Sequence, residues 1–119
     1  MDKVNEYRQH IQAILTKHGS HKPKQQDVEN ELIFDTTHDH YQLMRVGWNG
    51  LHRIYHTVMH FDIKDGKIWI QQNKTDVDLA LELLSIGVLK EDIVLGLQPP
   101  YKRPYTGYSV VWYDYISPF

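Results

Sequence analysis

The chain has 119 residues, no cysteine and a formal net charge of −2 at pH 7, from 13 basic and 15 acidic residues. Because single domains commonly run to about 100–150 residues, we predict one domain over residues 1–119, large enough to fold without a disulfide or a metal. The lack of cysteine excludes a disulfide framework, a thiolate zinc site and a cysteine nucleophile. The charge balance argues against a protein that grips DNA alone through a basic face.

No apolar run approaches the roughly 20 residues of a membrane span. The N-terminal residues 1–6 are charged and lack the apolar core of a signal peptide. We therefore expect a cytoplasmic protein.

The first predicted element is an amphipathic helix that Asp2 caps and Gly19 ends. Its apolar stripe has spacings of three and four residues and consists of Val4, Tyr7, Ile11, Ile14, Leu15 and His18. The stripe spans only about two heptads, so it predicts a helix that packs on a core and not a coiled coil.

An antiparallel meander of strands is predicted next. Asn-Gly and Asp-Gly favour positive φ and two-residue hairpin turns. The predicted strands and turns are Glu31–Asp35, Tyr41–Trp48, the turn Asn49–Gly50, Leu51–Ile63, the turn Asp65–Gly66, and a strand through Ile68. The fold class is therefore α+β, an antiparallel β-meander sheet packed with an N-terminal helix and a helix after the sheet.

Two-residue turns would fix the register and both sheet faces, with Trp48 opposite Leu51 and Ile63 opposite Ile68. The predicted core face carries Met44, Val46, Trp48, Leu51, Tyr55, Met59, Phe61, Ile63, Ile68 and Ile70. The other face carries Tyr41, Leu43, Arg45, His52, Ile54, His56, Val58, His60, Asp62, Trp69 and Gln71. That second face is too apolar for an ordinary solvated face, so we expect more of this chain or another protein to cover it.

The C-terminal third carries weaker signals. Thr75–Asp78 has capping-box character and predicts the start of a helix that Gly87 ends. Lys90–Asp92 predicts a turn, Ile93–Leu95 a short buried strand or helix end, and Ser109–Tyr115 a last strand.

Three histidines, His52, His56 and His60, form the sharpest pattern. On a regular strand they share a face, but residues four apart are about 13 Å apart. Because a metal ion needs its ligands about 2 Å away, the three cannot share an ion there. We predict partly buried histidines with hydrogen-bond partners, with a site shared with another chain as the alternative, and no metal or other cofactor.

A second group of titratable residues crowds one loop, and it consists of Asp35, His38, Asp39 and His40. Its spacing matches no metal signature, so an ordinary turn is favoured over a metal site. Asp62 is placed to pair with His60 or Arg45, but an adjacent acid and imidazole do not make a nucleophile–base pair. The sequence also lacks a Gly-rich phosphate loop and a serine-nucleophile elbow. We predict no catalytic residues and no enzyme activity.

The segment Pro99–Tyr105 combines prolines, basic residues and tyrosines. The favoured interpretation is a proline-stiffened surface loop whose tyrosines pack on the domain. A contact with a protein, or with nucleic acid through phosphate and base stacking, is the alternative. The candidate interaction residues are Tyr101, Lys102, Arg103, Tyr105, His52, His56, His60 and Trp69.

A set of short segments, ordered along nearly the whole chain, resembles one known family. The segments are Asp2–Lys3, Tyr7–Arg8, Phe34–Thr36, His40–Met44, Val46–Trp48, His60–Ile63, Gly66–Gln71, Leu83–Gly87, Lys90–Leu95 and Pro100–Thr106. Together they look like XisI proteins. The chain departs from that pattern at Leu89, where the family is expected to carry proline, and after Thr106, where Gly107–Ser109 replaces an acidic-aromatic continuation.

The resemblance implies an fdxN element excision controlling factor, a cyanobacterial protein of programmed DNA rearrangement in heterocysts. Such a protein works with a XisH-like partner and a separate recombinase, so it would be an accessory regulator acting by protein contact, and possibly a homo-oligomer. Two alternatives stay open: a direct DNA-binding excision factor, and a XisI-like paralogue with another regulatory or antitoxin-like binding role.

Overall fold

The computed structural model describes residues 2–110 of the chain. The helices and strands are α1 Lys3–Gly19, β1 Val28–Asp35, β2 His40–Asn49, β3 His52–Lys64, β4 Lys67–Asn73, α2 Leu79–Ser85 and β5 Ile93–Val94, with short 3-10 helices at Lys90–Asp92 and Pro100–Tyr105. The described strands form one sheet in chain order, antiparallel from β1 to β4, with β5 parallel to β4. The predicted α+β fold and meander are confirmed.

The bounds of α1 match the predicted helix. The carboxylate of Asp2 accepts a hydrogen bond from the backbone N–H of Val4 at 3.0 Å, which caps the first turn. Its stripe is anchored in the core by Tyr7, Ile11, Ile14 and Leu15, all buried. Neither helix within residues 2–110 is long and apolar enough to cross a membrane.

The two hairpin turns differ from each other. Asp65 and Gly66 both have positive φ, at 54° and 76°, and Ile63 pairs with Ile68 as predicted. The first turn is displaced by one residue, because Asn49 pairs with His52 and the loop is Gly50–Leu51. In that turn only Gly50 has a positive φ, 64°. The displacement moves the predicted β2–β3 partners near the turn by two residues, so the same residues still share a face there.

A β-bulge at Val58 decides which side chains reach the core. Leu43 pairs with Met59 while Met44 pairs with Thr57, so Val58 is an extra residue on β3. The prediction assumed an unbroken strand, and one extra residue exchanges the faces of everything beyond it.

The predicted faces are therefore partly wrong. The inner face, covered by α1, carries Tyr41, Leu43, Val58, Met59, Phe61, Ile63, Ile68 and Ile70, all buried in the core. The opposite face, here called the outer face, carries His40, Gln42, Met44, Val46 and Trp48 on β2, paired with Asp62, His60, Thr57, Tyr55 and Arg53 on β3. Tyr41, Leu43 and Val58 thus belong to the core, whereas Trp48 and Tyr55 are exposed and Leu51 lies in the turn, fully exposed.

The start of α2 also differs from the prediction. Asp78 is its N-cap, and its carboxylate accepts a hydrogen bond from Leu81 N–H at 3.0 Å. Thr75 instead donates from its hydroxyl to Asn73 Oδ1 at 2.7 Å and so belongs to the preceding turn. The predicted strand Ser109–Tyr115 falls largely on residues 111–119, outside the described residues.

Candidate functional site

A histidine–carboxylate cluster lies on the outer face, at the end of the sheet remote from the β2–β3 turn. His40 Nδ1 and His60 Nε2 each lie 2.8 Å from Asp62 Oδ1. Gln71 Nε2 donates to the other carboxylate oxygen, Oδ2, at 3.1 Å. Asp62 is only 7% exposed. The fold therefore holds a buried carboxylate that two imidazoles and one amide approach from different sides.

Strand pairing brings these residues together. Asp62 pairs directly with His40, and His60 pairs with Gln42, two residues further along β2 on the same face. A second irregularity, between the pairs Phe61–Ile70 and His60–Gln72, leaves Gln71 as an extra residue on β4, from which its amide reaches Asp62. The cluster thus depends on the bulges in β3 and β4.

The charges within the cluster follow from these contacts. Burial alone would raise the pKa of Asp62, but the hydrogen bonds from His40, His60 and Gln71 lower it below its ordinary value. The bond to Asp62 raises the pKa of His40, against a smaller opposing effect of burial. Asp62 is therefore a carboxylate at neutral pH, and it favours positive charge on His40.

The predicted common face of the three strand histidines is wrong. His56 pairs with Arg45 and His60 pairs with Gln42. Arg45 and Gln42 are three residues apart on β2, so their partners lie on opposite faces of the sheet. His52 is exposed beside the turn, on the face of His56. Burial, together with the charges of Lys74 and Arg45, lowers the pKa of His56.

The histidine that does join His60 is His40, which the sequence placed in a loop. The predicted pairing of Asp62 with His60 is confirmed, whereas Arg45 lies on the inner face and donates to Asn30 Oδ1 at 3.3 Å. The sequence offered no local signal for the contact between His40 and Asp62, because that contact depends on the register between β2 and β3.

The other titratable residues of the 35–40 loop go to separate partners. Asp35 accepts from the ring of its neighbour His38 at 2.9 Å. Asp39 is held by the Arg8 guanidinium at 2.8 and 3.1 Å and by the Tyr41 hydroxyl at 2.8 Å. The Arg8 bond, opposed by burial, lowers the pKa of Asp39. The four residues therefore do not converge on one point.

Near the β2–β3 turn the outer face carries an aromatic patch, defined here as Val46, Trp48, Arg53 and Tyr55. Trp48 is 48% exposed and Tyr55 is 65% exposed. The Arg53 guanidinium lies 5.3 Å from the Trp48 ring centroid and 5.5 Å from that of Tyr55. This part of the outer face is thus aromatic and exposed. Of the predicted second face, Tyr41, Leu43 and Val58 are covered by this chain in the core, whereas the aromatic patch on the outer face is left uncovered by the described residues.

The Pro100–Tyr105 helix divides the candidate interaction residues of this segment into two groups. Tyr101, Lys102 and Tyr105 are exposed. Arg103 is buried: its Nε donates to Gln98 O at 3.0 Å, and its guanidinium lies 5.2 Å from the ring centroid of the buried Trp69. Arg103 and Trp69 therefore fix the segment to the sheet, and the exposed residues stay candidates for a contact.

Fold and site together define a class: a small α+β protein whose distinctive side chains lie on one open face of a meander sheet. The family model of the XisI protein matches residues 1–110. A crystal structure of a XisI-like protein from Anabaena variabilis is 56% identical, with a TM-score of 0.87, over 92% of this chain and 100% of that chain. The fdxN element excision controlling factor XisI from the same organism is 34% identical, with a TM-score of 0.82 and the same coverage. A search of curated proteins found no match. The chain belongs to the XisI family.

Proposed function

We propose that this chain is a regulatory protein of programmed DNA excision that acts by binding a XisH-like protein and does not itself cut DNA. The observation that carries the proposal is the exposed aromatic patch, in a chain 34% identical to an excision controlling factor. A regulator of this kind needs a surface for its partner and no reacting groups.

The aromatic patch has the composition of a binding hot spot. Trp, Tyr and Arg are the residues that most often contribute large fractions of binding energy at protein interfaces. Arg53 stands over both rings, and this contact orients its side chain before any partner arrives. A partner that covers Trp48 and Tyr55 would bury apolar surface that now faces water, a gain of about 25 cal/mol per Å² of apolar area before the costs of association are subtracted.

The charge distribution favours a protein partner over DNA. The formal net charge is −2, and Arg103 is buried in the 3-10 segment for which a phosphate contact was the alternative interpretation. Lys102 is exposed in that segment, but one lysine supplies little of the charge neutralisation that DNA binding requires. The antiparallel sheet therefore serves in the proposal as a protein-binding platform.

A XisI-like paralogue with another partner is the second candidate. Leu89, which stands where the family is expected to carry proline, is 46% exposed. It lies beside Tyr7 of α1 and not in the aromatic patch. The departure therefore changes the exposed surface near α1 and leaves the core intact, so it favours a partner that contacts that region.

Co-expression with a XisH-like protein of the same genome, followed by size-exclusion chromatography with light scattering, tests the proposal. We expect one co-eluting complex, and a DNA mobility shift that is absent for the isolated chain even at low salt. Separate elution of both proteins would contradict it. A strong shift by the isolated chain that weakens steeply with salt would favour the DNA-binding alternative, and a dimeric mass that is lost when Trp48 and Tyr55 are replaced by alanine would assign the patch to self-association.

A further inference from the structure

We propose that His40, His60 and Asp62 form a binding site for one divalent transition-metal ion, with zinc as the probe ion. One ring nitrogen of each histidine and one oxygen of Asp62 lie within 4.8 Å of one another. The site shares no residue with the aromatic patch, so metal binding can be tested independently of the proposed partner.

The donor set selects the class of ion. Two imidazole nitrogens and one carboxylate oxygen suit zinc and neighbouring first-row divalent ions, whereas magnesium and calcium prefer oxygen ligands alone. Two neutral imidazoles and one carboxylate carry a charge of about −1, which partly balances the ion.

The geometry needs only a small adjustment. Ligands about 2.0–2.1 Å from a tetrahedral ion lie about 3.3 Å from each other. The two imidazole nitrogens are each 2.8 Å from Asp62 Oδ1 and on separate strands, so outward rotation of the rings would admit the ion. The His40 and His60 side chains are 52% and 26% exposed, which leaves them room to turn.

Gln71 supplies what a metal-binding carboxylate usually has, a hydrogen bond that orients it. Its amide donates to Asp62 Oδ2 at 3.1 Å, so Oδ1 is left facing the two histidines. Outer contacts of this kind commonly change metal affinity about 10–100-fold. Because both imidazoles lie partly in solvent, the remaining coordination positions would be open to water or to a group from another molecule.

The experiment uses tag-free protein that has been stripped with a chelator and dialysed. Titration with cobalt(II), followed by its visible absorption, and with zinc, followed by calorimetry, should both give one equivalent. We expect His60→Gln and Asp62→Asn each to weaken binding at least about 100-fold, since each removes a ligand and not only an outer contact. His38→Gln is the matched control, because His38 lies two residues from His40, is 72% exposed and pairs with Asp35 instead; it should bind as the wild type does.

His40→Gln covers the case in which Asp62→Asn fails to fold, because His40 is half exposed and its loss leaves the core intact. Folding of each variant is checked by circular dichroism. Absence of binding to the wild type, or wild-type affinity in His40→Gln and His60→Gln, would overturn the proposal. Loss of binding in His38→Gln alone would show an adventitious ion only, held by the exposed loop.

Discussion

The phenol of Tyr7 donates a 2.7 Å hydrogen bond to the carboxylate of Asp92, which lies 85 residues further along the chain. Both residues are buried, at 3% and 7% exposure, and the Lys3 ammonium lies 2.9 Å from the same carboxylate. Burial and the bond to Asp92 raise the pKa of Tyr7 to about 12. Since Asp92 immediately precedes β5, this contact fastens the first helix to the last described strand.

Replacing Tyr7 with phenylalanine keeps the ring and removes the hydrogen bond. We expect the free energy of unfolding in urea to fall by about 1.5–3 kcal/mol, the usual range for a bond to a charged group. Tyr105→Phe is the control, because Tyr105 is 88% exposed; its effect should stay within about 0.5 kcal/mol. Equal stability of the two variants would show that the Asp92 contact contributes nothing.

The bulge at Val58 makes a testable distinction between two nearby strand residues. Val58 is 3% exposed and in the core, whereas Tyr55 is 65% exposed on the outer face. Val58→Asp should therefore cost about 3–5 kcal/mol, the effect of a buried unpaired charge. Tyr55→Asp should leave the urea midpoint nearly unchanged. A larger loss of stability in Tyr55→Asp than in Val58→Asp would contradict the bulge and favour a regular strand.

Position 47 requires glycine because of its backbone conformation and its close contact with the start of β1. Its φ is 153°, and a Cβ atom there would overlap Asp27 O and lie 2.7 Å from Val28 Cα. Gly47→Ala should reduce the free energy of unfolding by more than the roughly 1–3 kcal/mol that a sparsely populated backbone conformation alone costs. Gly50→Ala provides the comparison, since Gly50 also has a positive φ, 64°, but nothing within 4 Å of its Cβ position. An equal loss in both variants would contradict the steric argument.

Local signals predicted most of the fold, and long-range ones were missed. The Asp2 cap, the end of α1 at Gly19 and the Asp65–Gly66 turn are each specified by a few adjacent residues, and all are confirmed. The bulge at Val58 has no such signal, because an extra residue in a β-branched and aromatic strand is defined only against its partner strand.

The same reason explains the candidate site. The sequence paired Asp62 with His60, two residues away on one strand, but His40 reaches them from 22 residues earlier through the β2–β3 pairing. The helix start was missed for a local reason, since Thr75 and Asp78 both have N-cap side chains and Asn73 engages Thr75 first. The exposed Trp48 was placed in the core because the alternation of faces was carried from Phe61 and Ile63 to the first turn without the bulge at Val58.

His40 and His56 should give pH dependences of opposite sign, measured with a chelator present. The bond to Asp62 raises the pKa of His40. The stability that this bond contributes is therefore fully present below about pH 6.5 and is lost as the pH rises through the folded-state pKa. Burial, together with the charges of Lys74 and Arg45, lowers the pKa of His56. Protonation of His56 therefore destabilises the folded protein, so the wild type loses stability as the pH falls below about 6.5.

Relative to the wild type, His40→Gln should be less stable at about pH 6 than at about pH 9, by less than about 1 kcal/mol because the His40 side chain is half exposed. His56→Gln should gain relative stability between about pH 8 and about pH 5. The free energy of unfolding in urea at each pH is the measurement. Parallel curves for both variants would show that neither histidine titrates as the contacts require.

Titration calorimetry of this chain with a XisH-like protein tests the claim that the outer face binds such a protein through the aromatic patch. Trp48→Ala combined with Tyr55→Ala should raise the Kd at least about 30-fold, the equivalent of a hot spot of about 2 kcal/mol. Leu81→Ala, which truncates an apolar side chain 59% exposed on α2, should leave the Kd unchanged. Wild-type affinity in the Trp48 and Tyr55 double variant would contradict the claim.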